Sequence, residues 1–184
     1  MKNPIKLVII LMIFTISVSA QKVMTKNGNI RFYSETPVEK IEATNTQVNS
    51  ALDLTTGDFV FKVLIKAFEF KKALMQEHFN ENYMESDKIP NATFVGKVSN
   101  IKDINFSKDV SYNAEVEGNL TIHGVTKKIS EKGTIELKSG KINAKAVFKV
   151  KPKDYNITIP GAVVANIAEF IEVSVDVTLE KFGA

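Results

Sequence analysis

The feature that most constrains this chain is alternation of apolar and polar residues over long runs. Residues 114–122 set Ala114, Val116, Gly118, Leu120 and Ile122 on one side and Glu115, Glu117, Asn119 and Thr121 on the other. Residues 142–150 set Ile142, Ala144, Ala146, Phe148 and Val150 against Lys141, Asn143, Lys145 and Lys149. Residues 171–179 do the same with Ile171, Val173, Val175, Val177 and Leu179, and residues 125–137 with Val125, Ile129, Ile135 and Leu137. Successive side chains of a strand point to opposite faces, so each run has one apolar face and one wet face. That is the pattern of an antiparallel sheet with a single buried side. Such faces are hidden either by stacking two sheets or by closing one sheet into a barrel.

Turn residues punctuate the runs. His123-Gly124 and Ser139-Gly140 fall where two-residue hairpins would turn. Asp154-Tyr155-Asn156 and Pro160-Gly161 break the last third. Upstream, residues 28–34, 37–44, 46–54, 57–68 and 93–101 read as further strands, with Gly57-Asp58 as a turn. This makes about eight or nine strands. One stretch differs: over Lys71–Met84 the spacing is helical, with Met75, Phe79 and Tyr83 in one stripe and Leu74 above His78. Ser86 to Pro90 ends it. Neither an internal repeat nor a linker interrupts residues 21–184, which read as one domain.

The first twenty residues have another character. Lys2 and Lys6 precede the apolar run Leu7–Phe14, and Ser17-Val18-Ser19-Ala20 supplies small residues before Gln21. This is the tripartite layout of a secretory signal peptide, too short to span a bilayer. It predicts cleavage after Ala20 and a periplasmic or secreted protein. Of the 24 basic residues two lie in this leader, which leaves 22 against 21 acidic ones, a net charge of +1. Nucleic acid is therefore not an expected partner, because its binding needs a clustered basic face. With no cysteine, disulfides, thiolate metal sites and cysteine nucleophiles are excluded. The core alone must hold the fold.

The chain carries little that points to catalysis. Its two histidines, His78 and His123, are too few for a three-histidine zinc site. There is no nucleophile elbow, phosphate-binding glycine loop or paired-histidine helix motif. Glu115 and Glu117 share a wet strand face with lysines and read as solvated charge. No catalytic residue and no metal are expected. The twelve phenylalanines are more suggestive: Phe59, Phe61, Phe68, Phe70, Phe79, Phe94 and Phe148 can wall an apolar tunnel as readily as fill a core.

An eight-stranded antiparallel barrel leaves room inside for one small ligand. An outer-membrane barrel fits less well, since the polar faces are dense in Lys and Glu and aromatic girdles are missing. Three segments then carry a resemblance. They are His78–Phe94 (HFNENYMESDKIPNATF), Gly118–Lys127 (GNLTIHGVTK), and Asp154-Tyr155 with the closing strand Ile171–Leu179. In this order and spacing, residues 28–182 resemble the YceI-like family of secreted, lipocalin-like, polyisoprenoid-binding proteins. More familiar members carry His-Leu and Phe-Phe-Asp where this chain has His78-Phe79 and Asn82-Tyr83-Met84.

The resemblance implies an all-β, approximately eight-stranded lipocalin-like barrel with a short helical cap at residues 71–84. It also implies an elongated apolar tunnel. The expected tunnel lining is Phe61, Val63, Met75, Phe79, Phe94, Gly118, Leu120, Ala146, Phe148, Val150 and Tyr155, with His78 as a weaker candidate for a headgroup. The expected ligand is a long apolar lipid such as an isoprenoid, held without a cofactor, without bond chemistry and without stable membrane insertion. The oligomeric state stays open, a homodimer among the options. The competing reading is an envelope interaction module whose barrel is packed solid.

Overall fold

The computed structural model describes residues 22–181. The expected leader therefore lies outside the described residues. The strands are β1 (Lys22–Glu35), β2 (Lys40–Asp53), β3 (Asp58–Leu64), β4 (Glu69–Phe70), β5 (Asn91–Val98), β6 (Ser111–Ile122), β7 (Val125–Lys138), β8 (Lys141–Val150) and β9 (Ile171–Lys181). Pairing runs β1-β9-β8-β7-β6-β5-β3-β2, and β2 pairs back to β1. Eight antiparallel strands thus close a barrel, and the two-residue β4 hangs on the free upper part of β2.

Local chemistry sets the tight hairpins. His123 and Gly124 have φ of 49° and 74°, Ser139 and Gly140 have 52° and 79°. Two successive positive φ values make the turn whose twist matches a right-handed pair of strands. The register then follows: Ile122 faces Val125 and Lys138 faces Lys141.

Three strand expectations change, the simplest being 93–101, which ends at Val98 before a 3-10 turn at Ile101–Asp103. Residues 37–44 and 46–54 belong to one strand, β2. The polar interruption around Asn45 is a bulge: the β1 register jumps between Gly28 and Ile30, opposite Val48 and Asn45. Asn45 is fully buried and donates its amide N–H to the Leu64 carbonyl, while its Oδ1 accepts the Gln47 N–H. The expected strand at 57–68 stops at Leu64, turns through Ile65–Ala67, and resumes as β4.

The barrel has a closed and an open end. At the closed end Val23, Leu52, Phe59, Val98, Ile101, Ile104, Ile135, Ile142 and Leu179 form a dry core. At the other end lie the β1–β2 and β6–β7 turns, the segment 151–170, and the cap. The cap is a short helix, α1 (Ala73–His78), continued by one π-helical turn at Phe79–Tyr83. It falls inside the 71–84 window. Six residues of helix are marginal alone, so the cap depends on what it packs against. Phe79 supplies this: its ring lies 5.4 Å from Phe32, 5.7 Å from Phe68 and 5.0 Å from Phe70.

Candidate ligand cavity

Above the dry core the barrel is hollow. A cavity of about 560 Å³ runs from a floor at Phe59, Ala114, Ile135 and Ala144 up to the cap. It lies within the range of natural small-molecule sites, ~300–1,000 Å³. Its wall is built by the inward alternation of the strands: Phe61 and Val63 from β3, Phe94 from β5, Val116 and Leu120 from β6, Ile129 from β7, Phe148 and Val150 from β8. Rings recur along one side, with Phe59–Phe61 centroids 4.6 Å apart and Phe61–Phe94 6.2 Å apart.

Cross-links around the upper end fix the mouth. Glu39, in the β1–β2 turn, accepts hydrogen bonds from Lys72 Nζ at 3.2 Å and Asn166 Nδ2 at 3.2 Å. The Ala168 N–H donates to Ser34 Oγ at 2.9 Å. The β1–β2 turn, the cap and segment 157–168 are thereby joined. Leu74, at 61% exposure, stands on the rim and lines the mouth. Across the barrel, His123 has a second role beyond the turn. Its Nδ1 lies 3.2 Å from the Tyr155 carbonyl and its Nε2 lies 3.2 Å from Glu85 Oε2. Both partners are acceptors, so a neutral ring, with one N–H, serves one of them at a time. Lys88 chiefly, and His123 next, hold the Glu85 carboxyl below its usual value.

Of the residues expected in the lining, Phe61, Val63, Met75, Phe79, Phe94, Leu120, Ala146, Phe148, Val150 and Tyr155 stand around the cavity, as does His78 at its upper end. Gly118 does not. A β-carbon there would lie 2.4 Å from the Gly96 Cα and 2.8 Å from the Phe94 ring tip. Gly118 pairs with Gly96, and the Phe94 ring lies over both, so Phe94 makes the wall at this point. Gly118 faces inward, but an aromatic ring occupies the space above it and Gly96.

Several wall positions escaped the sequence reading. Phe32 and Ile30 come from a strand whose pattern the bulge obscures. Ile157, Ile159 and Ile167 come from an irregular segment without periodicity. Glu131 is the most consequential: a lone acid on an apolar face breaks the alternation that marks an inward position. Tyr155 is 4% exposed and forms a buried cluster with Phe94 and Leu120, against which Val125, Ile129, Phe148 and Val150 pack. This cluster stands where the wall forks: the β7–β8 ladder pairs from Lys138↔Lys141 to Gly133↔Ala146 and stops, although both strands continue.

The sequence matches the model of the YceI-like domain over residues 16–179. The chain belongs to the YceI-like family. Solved structures agree on the fold. A polyisoprenoid binding domain from Saccharophagus degradans, implicated in plant cell wall breakdown, superposes with a TM-score of 0.76 at 13% identity, over 89% of this chain and 99% of that one. BcnA of Burkholderia cenocepacia gives 0.65 at 12% identity, over 84% and 96%. A Campylobacter jejuni YceI protein gives 0.54 at 17% identity, over 72% and 79%. None of the curated proteins matches the chain. Among the described residues of this YceI-like chain, no group of three or more acidic or histidine side chains is placed to hold a metal. Nor, among those residues, is any helix long and apolar enough to cross a membrane.

Proposed function

We propose that this YceI-like protein binds a long apolar chain, isoprenoid in character, and sequesters or carries it in the envelope or outside the cell. The observation that carries the reading is the hollow barrel: an apolar bore of about 560 Å³, closed below and capped above. A barrel packed solid, the competing view, would have no such void. The Saccharophagus degradans neighbour, described as a polyisoprenoid binding domain, points to the same class of ligand. The driving force is burial. Ten methylene equivalents moved from water gain ~8 kcal/mol at ~0.8 each, of which ordering and association costs remove a large part. No bond is made or broken in this scheme, so no catalytic group or cofactor is needed. The N-terminal leader supports export, with Gln21 the expected first residue of the mature chain.

The test is organic extraction and native mass spectrometry of protein purified from cells expressing the full chain. A co-purifying lipid, or uptake of added polyprenol by the stripped protein, is the expected result. A protein that carries nothing and takes up no polyprenol would overturn the proposal.

A further inference from the structure

The lipid reading leaves one group unused. Glu131 is an acid on the inner face of β7, between Ile129 and Gly133, opposite Val116 of β6. Its alternation places it with Ile129, Ile135 and Leu137, all inward, while Ser130, Lys132 and Thr134 are exposed. It lines the cavity one inward step above the Ala114–Gly133 pair and two above Ile135 of the floor. It sits at the base of the fork where the β7–β8 ladder ends at Gly133↔Ala146, near enough to the buried Tyr155 for its charge to act on that phenol. No ion pair or hydrogen bond to its carboxyl is found among the described residues. Burial alone pushes this carboxyl above its usual value. Burial first, then the charges of Asp154 and Glu131, raise the Tyr155 phenol.

A carboxyl in an otherwise apolar wall costs stability unless a partner meets it. In the empty barrel the part-exposed carboxyl meets water from the cavity side. Once a chain fills the bore, the water leaves and the ligand becomes the remaining partner. A carboxylate accepts hydrogen bonds and repels other anions.

From this we propose, resting on the lipid-binding reading, that Glu131 is a specificity-determining residue of the cavity. It selects a ligand that brings a hydrogen-bond donor, a hydroxyl or an amine, deep into the bore, and it excludes carboxylate or phosphate groups from that depth. The polar function of the ligand thus lies near the floor as well as, or instead of, at the mouth.

The experiment uses three probes with one chain and different ends: farnesol, farnesylamine and farnesoic acid. Their affinities for lipid-stripped protein are measured by calorimetric titration at neutral pH. The wild type is expected to bind the alcohol and the amine about tenfold more tightly than the acid, the scale of one charge-assisted hydrogen bond. Glu131→Gln preserves size and is expected to remove that gap while weakening the amine. Glu117→Gln, on the outer face of β6, is the control for net charge and is expected to keep the wild-type ranking. The inference is overturned if the acid binds the wild type as tightly as the alcohol, if Glu131→Gln keeps the ranking, or if Glu117→Gln erases it equally. Failure of all three probes with wild type and variants alike would instead bring down the lipid-binding reading beneath it. Circular dichroism on each variant confirms folding.

Discussion

At the residue scale, two positions show how a single side chain can contradict the pattern around it. Glu131 carries a linkage consequence. Its carboxyl is raised above the ordinary 4.5 by burial, so the folded state holds the proton more tightly than the unfolded chain. The folded state has no penalty below the unfolded value and loses stability as pH rises through the raised one. Glu131→Gln in the ligand-free protein is therefore expected to melt at the same temperature as wild type near pH 4 and higher near pH 7. Thermal unfolding by circular dichroism at the two pH values checks this; an equal gain at both would mean that charge burial is not the cause. Gly118 gives the opposite lesson. A β-carbon there would meet the Gly96 backbone at 2.4 Å, where nothing flexible can yield. Gly118→Ala is expected to destabilise by about 1–3 kcal/mol, as overpacking does. Gly124 offers the contrast for denaturant titration: added atoms find only Ile89 at 3.8 Å, and its cost is the positive φ of 74°. The alternation placed Gly118 on the inner face correctly. It carried no sign that a neighbouring strand brings a second glycine and a ring against it.

At the scale of elements, the legible parts are those whose signal is local. The two hairpin turns, the inner faces of β6, β8 and β9 and the cap between 71 and 84 follow from spacing and turn chemistry within a dozen residues. The bulge that unites residues 40–53 was illegible because it depends on the partner strand: β1 shifts register at Gly28, and the polar Asn45 finds its acceptor on Leu64. Segment 157–167 contributes Ile157, Val163 and Ile167 to the mouth from backbone whose one regular piece is a 3-10 helix at Gly161–Asn166, too short to leave a readable period. The cap is held down through Phe79, which reaches the rings of Phe32, Phe68 and Phe70 from two other stretches of chain. That dependence is testable. Phe79→Ala removes the anchor, and a Phe truncation of a packed cluster costs about 3–5 kcal/mol; half-burial of Phe79 places the expected loss at the lower end. Because the ring is also wall, the expected signature is double: rapid amide exchange confined to residues 73–84 and faster release of bound lipid. A uniform loss of protection through β5–β8 would show instead that the ring supports the whole barrel. Exchange of lipid at wild-type rate would show that the cap does not retain it.

At the scale of the molecule, the barrel divides its interior between stability and binding. The dry layer at the closed end is built by Leu52, Val98, Ile135 and Leu179, each at most 1% exposed. The cavity begins directly above it. Ala146 marks the boundary: it pairs with Gly133 on one side and Val175 on the other, one step above Ala144 of the floor. Alanine opposite glycine leaves the bore wide at its deepest point. Ala146→Leu would place three more carbons there, without touching the ring cluster under the cap. In the empty protein the added carbons enter a void, so the fold is expected to hold or gain slightly, by up to about 0.8 kcal/mol for each methylene that finds contact. In the loaded protein they occupy space that the ligand's far end needs. Shorter prenols that stop above this level should bind as before, and the longest prenol accepted by wild type should be lost. The measurement is a chain-length series of prenols scored by native mass spectrometry on both proteins. A variant that loses all lengths equally would place the ligand across the bore at this level whatever its size, and one that keeps the longest would show that the chain never reaches the floor. Either result would relocate the ligand relative to Glu131, whereas a selective loss of long chains fixes the bore's axis, its depth and the division between the dry core and the lipid that stands on it.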